Sequence, residues 1–398
     1  MDNDLLDIRS RTALQQPDWD DDPRLATVRA ELADRTPLVR ADDVHRLRAA
    51  LARVAEGTAH LVLAGDCAED PAECTPGYVA RKAGLLDVLA GTLKMVTHRP
   101  VVRVGRIAGQ YAKPRSSATE SLRGVELPVF RGHMVNGPEP DAAVRRPDPT
   151  RILDGYQAAA ATMRHLGWPG AAAGPRDIDA EAARLDPDVW TSHEALLLDY
   201  ELPMLRRDAT GRLLLASTHW PWIGERTRQV DGAHVALLAG IVNPVACKVG
   251  PRMTPGELVA LCERIDPGRE PGRLTLIARM GAGVVAEALP ALVAAVRDAG
   301  HPVIWLTDPM HGNTVTTPAG LKTRFVEAIV REVQQFQTAV RTAGGVAGGL
   351  HLETTPDHVT ECVTNESFVG GVAEKYTSFC DPRLNPEQAM TVVSSWLG

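Results

Sequence analysis

An α/β fold, a (β/α)8 barrel spanning residues 1–398 as one domain, is what this sequence predicts. Three observations predict it. Short apolar runs recur along the 398 residues, and most are followed by a stretch with helical apolar spacing. Nearly every run ends in a residue that can carry charge or bind a metal. The length suits one large α/β barrel, and 44% hydrophobic with 23% charged residues is the balance of an ordinary globular enzyme. A net charge of −7 argues against a general nucleic-acid binder. No apolar run reaches the roughly 18 residues that a membrane span needs. The acidic start, MDNDLLDIRSRTALQQPDWDDD, has no signal-peptide h-region. Six cysteines without a CxxC spacing point to a reducing, cytoplasmic setting.

Taken in order, residues 1–40 carry Pro17, Pro23 and Pro37 among mixed charges and read as an arm wrapped over the outside. Val44, Leu47, Leu51 and Val54 share one face of a helix over Asp42–Ala55, which completes an N-terminal part of residues 1–55. The barrel proper takes residues 56–398. Its first strand is His60–Gly65, running into Asp66-Cys67-Ala68-Glu69, and a helix over Tyr78–Val96 follows. Pro100–Arg106 is the second strand, and the loop after it holds Lys113, Pro114, Arg115 and Ser116. Between 131 and 212 no strand is legible. RILDGYQAAAATMRHL and SHEALLLDYELPMLRR read as extra helices between strands two and three, joined by GWPGAAAGPRDIDAEAARLDPD.

Leu213–Ser217 is the third strand expected, leading through THWPWIGERTRQ to Glu225 and Arg226. The fourth carries Val245, Ala246 and Cys247 and ends at Lys248. Leu274–Arg279 is the fifth, and Val303–Leu306 the sixth, stopped by Asp308-Pro309 before the turn Met310-His311-Gly312-Asn313. A long helix over Leu321–Ala343 precedes the seventh strand, Gly348–Glu353. A short eighth is expected at Ser378–Asp381, and NPEQAMTVVSSWLG forms the last helix.

Taken singly, His311 would cap a turn, Cys67 would be a small buried hydrophobe, and Glu225-Arg226 a surface ion pair worth little. Their recurrence at strand exits changes the odds, because a purely structural barrel has no need of ionisable groups at one end. They sort into two sets. Cys67, His311, Glu353 and Asp381 are a thiol, an imidazole and two carboxylates, a mixture that suits a divalent transition metal. Arg106, Lys113, Arg115, Arg226, Lys248 and Arg279 make a basic pocket in an acidic protein, which points to a small, multiply anionic substrate. Together they suggest Lewis-acid activation of a carbonyl.

The stretches GDCAE, VGRIAGQYAKPRS, WIGERTRQ, ACKVGP, ARMGA, DPMHGNT, VTEC and CDPRLN, in that order from about Thr36 onward, resemble those of the type II 3-deoxy-D-arabino-heptulosonate 7-phosphate (DAHP) synthases. The resemblance implies condensation of phosphoenolpyruvate with D-erythrose 4-phosphate, the entry step of the shikimate pathway. It implies metal ligation by Cys67, His311, Glu353 and Asp381, with manganese expected ahead of cobalt, zinc or iron. Arg106, Glu225, Arg226, Lys248 and Arg279 match the family's phosphoenolpyruvate site, with Lys248 as proton donor, and Lys113-Pro114-Arg115-Ser116 match its sugar-phosphate segment. It also implies a homo-oligomer, a dimer or larger, and a chorismate mutase as a possible partner. The region 151–205 is shorter than in members with an inserted regulatory helix pair, so weak or absent feedback by aromatic amino acids and a role in secondary metabolism are expected. His133 in RGHMVNG stands where the family has an aspartate. Rival readings are an amino-DAHP synthase acting on an imino sugar phosphate, a silent binding partner, and a generic metal-dependent aldolase of the same fold.

Overall fold

The computed structural model describes residues 3–122, 124–168 and 188–398. Eight parallel strands close into a barrel, each hydrogen-bonded to the next and the last to the first. They are β1 (His60–Gly65), β2 (Val101–Arg106), β3 (Trp190–Glu194), β4 (Trp220–Ile223), β5 (Val245–Val249), β6 (Leu274–Ala278), β7 (Ile304–Thr307) and β8 (Val346–Glu353). Most are buried along their whole length, as a barrel wrapped by helices requires. Among the described residues, no helix is long and apolar enough to cross a membrane.

The helices follow their sequence signals. The helix Pro76–Thr97 starts on Thr75, whose side chain accepts from the Tyr78 N–H, with Pro76 in the first turn. It buries Leu85, Leu86, Leu89 and Leu93 against the barrel. Thr254 with Glu257, and Asn385 with Gln388, form reciprocal capping boxes at the starts of Pro255–Ile265 and Pro386–Ser394. The helices Ala41–Ala55, Val285–Asp298 and Val326–Thr342 lie close to where apolar spacing places them.

Two of the expected strands are wrong. Leu213–Leu215 is not in the barrel but pairs antiparallel with Leu205–Arg207 in a hairpin outside it. The true third strand, β3, reads WTSHE and has no apolar run. All five of its residues are nevertheless buried. Its polar groups are satisfied by neighbours: Thr191 Oγ1 lies 2.8 Å from His219 Nδ1, Ser192 donates to the Trp220 carbonyl, and His193 Nε2 lies 2.8 Å from Glu201 Oε1. The fourth strand, WPWI, lies in the stretch THWPWIGERTRQ, where a proline and two bulky tryptophans mask the strand pattern. Ser378–Asp381 is not a strand either. β8 already pairs with β1 and completes the barrel, so this segment is a loop beyond it.

The expected helical region 131–212 therefore contains β3, together with the helix Arg151–His165 and a single turn at Leu198–Glu201. The long helix expected from Leu321 begins only at Val326, because Lys322–Arg324 pairs with Thr314–Thr316. Much of the Gly/Ala/Pro-rich connector lies outside the described residues.

The N-terminal segment meets the chain ahead of the helix Ala233–Gly240, where Arg11 donates to the Asp231 carbonyl at 3.3 Å. It also reaches the loop after β2, where Gln15 Oε1 accepts the Arg115 N–H at 2.8 Å. Gln16 bridges the chain after β3, accepting from the Leu198 N–H and donating to the Leu196 carbonyl.

Candidate active site

The strand register brings the site together. Gly65 of β1 lies level with Arg106 of β2 and Glu353 of β8, so three adjacent exits meet at one height. The exits of the other strands add Glu194, Glu225, Lys248, Arg279 and Asp308 on the same C-terminal face, where a parallel barrel places its chemistry. A cavity of about 560 Å³ opens there. Lys113, Pro114, Arg115, Ser116, Glu225, Arg226, Lys248, Arg279, His311 and Asp381 all line it, which gathers ten of the sequence-derived residues into one pocket. Arg106, Cys67 and Glu353 are fully buried beneath or beside it.

Three potential ligand atoms, from Cys67, Glu353 and Asp381, lie within 4.8 Å of one another. Cys67 Sγ is 3.6 Å from Asp381 Oδ2 and accepts the Asp381 N–H at 3.3 Å. His311 joins them through Nε2, 3.3 Å from Glu353 Oε1. Its other nitrogen, Nδ1, is 2.7 Å from Asp308 Oδ2, so a carboxylate orients the ring and leaves Nε2 turned toward the cluster. Glu353 Oε1 is buried and makes no aligned hydrogen bond, although His311 and Arg106 lie within 3.3 Å of it. One thiol, one imidazole and two carboxylates brought together in this way fit a divalent transition metal.

Electrostatics support ionised ligands. Burial alone would raise the pKa of Glu353, but His311 and Arg324 overcome it and hold the carboxyl well below its usual range. Arg324 Nη1 donates to Glu353 Oε2 at 2.8 Å, and Arg106 Nη2 lies 3.2 Å from Oε1. Asp381 is likewise held low against its burial, chiefly by Lys113. The Cys67 thiol, by contrast, is pushed well up by burial and by neighbouring acids, so a bound cation would have to stabilise its thiolate.

Lys248 is 97% buried, with its Nζ 2.5 Å from Asp308 Oδ2 and 5.0 Å from the Trp222 ring centre. Burial pulls its pKa down to about 8, against the pull of Asp308. The polar side chains that line the cavity are already tied down, with Arg226 Nη2 donating to Ser116 Oγ at 2.5 Å and Arg279 reaching the His311 carbonyl. Arg106 is held by His351 Nε2 at 2.6 Å, by the Asp66 and Cys67 carbonyls and by Glu353. Its guanidinium therefore serves the floor of the pocket.

Sequence reasoning missed several participants. Asp308, a strand stop by sequence, bridges Lys248 and His311. Glu194 ends the unrecognised β3 and lines the cavity with its Oε1 unpartnered, its pKa raised by burial. Trp222 sits in the unrecognised β4, and Arg324 precedes a helix. His133, unexplained by sequence, packs edge-on against Phe130 and Phe379 at ring distances of 5.3 and 5.2 Å. Burial lowers its pKa, and a neutral imidazole suits that aromatic nest.

The class-II DAHP synthetase family matches this chain over residues 4–179 and 171–395. A probable phospho-2-dehydro-3-deoxyheptonate aldolase of Pseudomonas fluorescens is 57% identical over 384 residues, covering 96% of this chain and 94% of that protein. The chain belongs to the class-II DAHP synthetase family. Phospho-2-dehydro-3-deoxyheptonate aldolases of Streptomyces coelicolor (41% identical, 96% of this chain, 94% of that one) and of Mycolicibacterium smegmatis (40%, 96% and 91%) are similar throughout. As a member, the chain is an enzyme of the 3-deoxy-7-phosphoheptulonate synthase class. The two actinobacterial alignments span 422 and 427 positions, more than the 398 residues of this DAHP synthetase-family chain, so those relatives carry insertions that it lacks.

Proposed function

We propose that this site condenses phosphoenolpyruvate with D-erythrose 4-phosphate to give DAHP and inorganic phosphate, opening the shikimate pathway. The observation that carries the reading is one cavity in which a metal-competent donor set meets a ring of cationic side chains. Cys67, His311, Glu353 and Asp381 would hold a divalent cation, manganese ahead of cobalt, zinc or iron, whose charge polarises the aldehyde of the sugar phosphate.

Lys113, Arg115 and Ser116 grip the phosphate of the aldose, and Pro114 shapes that segment. Arg226 and Arg279 hold phosphoenolpyruvate, with Glu225 ordering Arg228 at 2.9 Å beside them. Arg106 braces Glu353 from below. C3 of phosphoenolpyruvate forms the new bond to the aldehyde carbon, and the aldehyde oxygen takes a proton from the Lys248 ammonium. Water then adds at C2, and the C2–O bond to phosphate breaks. Asp308 Oδ2 holds both Lys248 and His311, so the proton source and the ligand set keep a constant relation.

The chain's shortness beside its actinobacterial relatives supports a role in secondary metabolism without aromatic feedback. Six free cysteines support a cytoplasmic location. The deciding assay follows phosphoenolpyruvate consumption with erythrose 4-phosphate after chelation and again after manganese is restored. Turnover is expected to vanish and return. A folded protein with no turnover under any divalent metal would overturn the reading.

A further inference from the structure

Asp381 poses a problem of placement. The other three proposed ligands sit on or just past barrel strands, whereas Asp381 lies in a loop beyond the last strand. Something other than the barrel must aim it at Cys67. The loop is gathered by one buried carboxylate. Glu361, fully inaccessible to solvent, accepts the N–H groups of Thr377 and Ser378 at 3.0 and 2.8 Å on Oε1. Its Oε2 accepts the Arg383 N–H at 2.7 Å. Both ends of the segment that carries Asp381 therefore hang from the same side chain.

Arg383 extends the grip. Its guanidinium forks onto Glu361, Nη2 to Oε1 at 2.9 Å and Nε to Oε2 at 3.1 Å. Its Nη1 donates to Asp66 Oδ1 at 2.8 Å, and Asp66 directly precedes Cys67. Lys82 closes the far side, 2.6 Å from Asp66 and 2.8 Å from Glu73. The result is a line of alternating buried charges that joins the loop of Asp381 to the exit of β1. Such networks are a poor source of stability, since apolar packing of the same volume often does as well or better. What they supply is rigid, directional geometry.

We infer that Glu361 and Arg383 are positioning residues that set Asp381 against Cys67 and so determine the affinity of the metal site. This rests on the metal reading above. Neither residue lines the cavity or hydrogen-bonds to the proposed ligand atoms. They act on Asp381 through the backbone of its loop and on Cys67 through Asp66.

The test titrates cobalt(II) into metal-free, reduced, full-length protein and follows the thiolate-to-cobalt charge-transfer band. The parent shows the band and Cys67→Ser loses it. Failure of that pair removes the metal reading, and this inference with it. Glu361→Gln and Arg383→Lys are expected to keep the band and bind cobalt about 10–100-fold more weakly. Their metal-free melting temperatures are expected to fall, because the change leaves buried charge less well paired, while both variants stay folded at the assay temperature and excess manganese restores most of the turnover number. Parental cobalt affinity in both variants overturns the inference. So does a collapse of the metal-free fold in both, which would make the network structural.

Discussion

At the scale of single residues, Lys248 shows how burial converts an ordinary side chain into an acid suited to neutral pH. With its folded pKa at about 8, the ammonium is present below that pH and is lost as pH rises through it. Turnover by the parent is expected to fall on the alkaline side with an apparent pKa near that value. In Lys248→Arg the limb should move out of the accessible range, because guanidinium does not deprotonate there. Lys248→Ala is expected to lose about 10²–10⁴-fold in kcat. A normal turnover number in Lys248→Ala would sink the proton-donor role. The lysine was legible because a cation at the end of a buried apolar run demands an anion. Asp308, the anion it meets, was not, because an Asp-Pro pair after a strand reads equally well as a turn. Only the fold shows that one carboxylate oxygen serves both Lys248 and His311.

At the scale of elements, the barrel closes where β8 meets β1, and Gly349 permits it. Its φ is +151°, and a Cβ there would lie 1.8 Å from the Leu61 carbonyl oxygen, a backbone atom that cannot step aside. Gly349→Ala is expected to cost about 3 kcal/mol or more, through strain and a broken ladder. Gly91, exposed within the helix Pro76–Thr97, has open space around its missing Cβ. Gly91→Ala should stabilise by about 0.5–1 kcal/mol. Thermal melts of the two variants would separate these outcomes, and a neutral Gly349→Ala would contradict the closure argument. Most strands were legible because they are apolar runs, and the helices because their caps and stripes are written locally. β3 was not. Its Thr191, Ser192 and His193 are buried only because His219, Trp220 and Glu201 supply their hydrogen-bond partners, and no local pattern records such partners. Leu213–Leu215 misled for the converse reason, since an apolar triplet packs equally well in a hairpin outside the barrel.

At the scale of the molecule, a chain of net charge −7 concentrates cations at one barrel mouth. Positive charge focused in a cavity attracts anions, and salt weakens that pull. KM for both substrates is therefore expected to rise several-fold between low and high ionic strength, with kcat little changed; flat KM values would count against a phosphate grip. The insertions present in actinobacterial relatives and missing here lead to the expectation that phenylalanine, tyrosine and tryptophan leave the rate unchanged, and inhibition by any of them would refute it. By itself, the sequence determined the fold class, the family and ten of the residues that line the pocket, because those rest on residue type, order and local periodicity. The tertiary structure alone decided which polar strand completes the barrel. It also placed Arg106 beneath the cavity rather than in its wall, and hung the loop of Asp381 from Glu361. Each of these depends on a partner distant in the chain, whose field or hydrogen bond exists only once the barrel has closed.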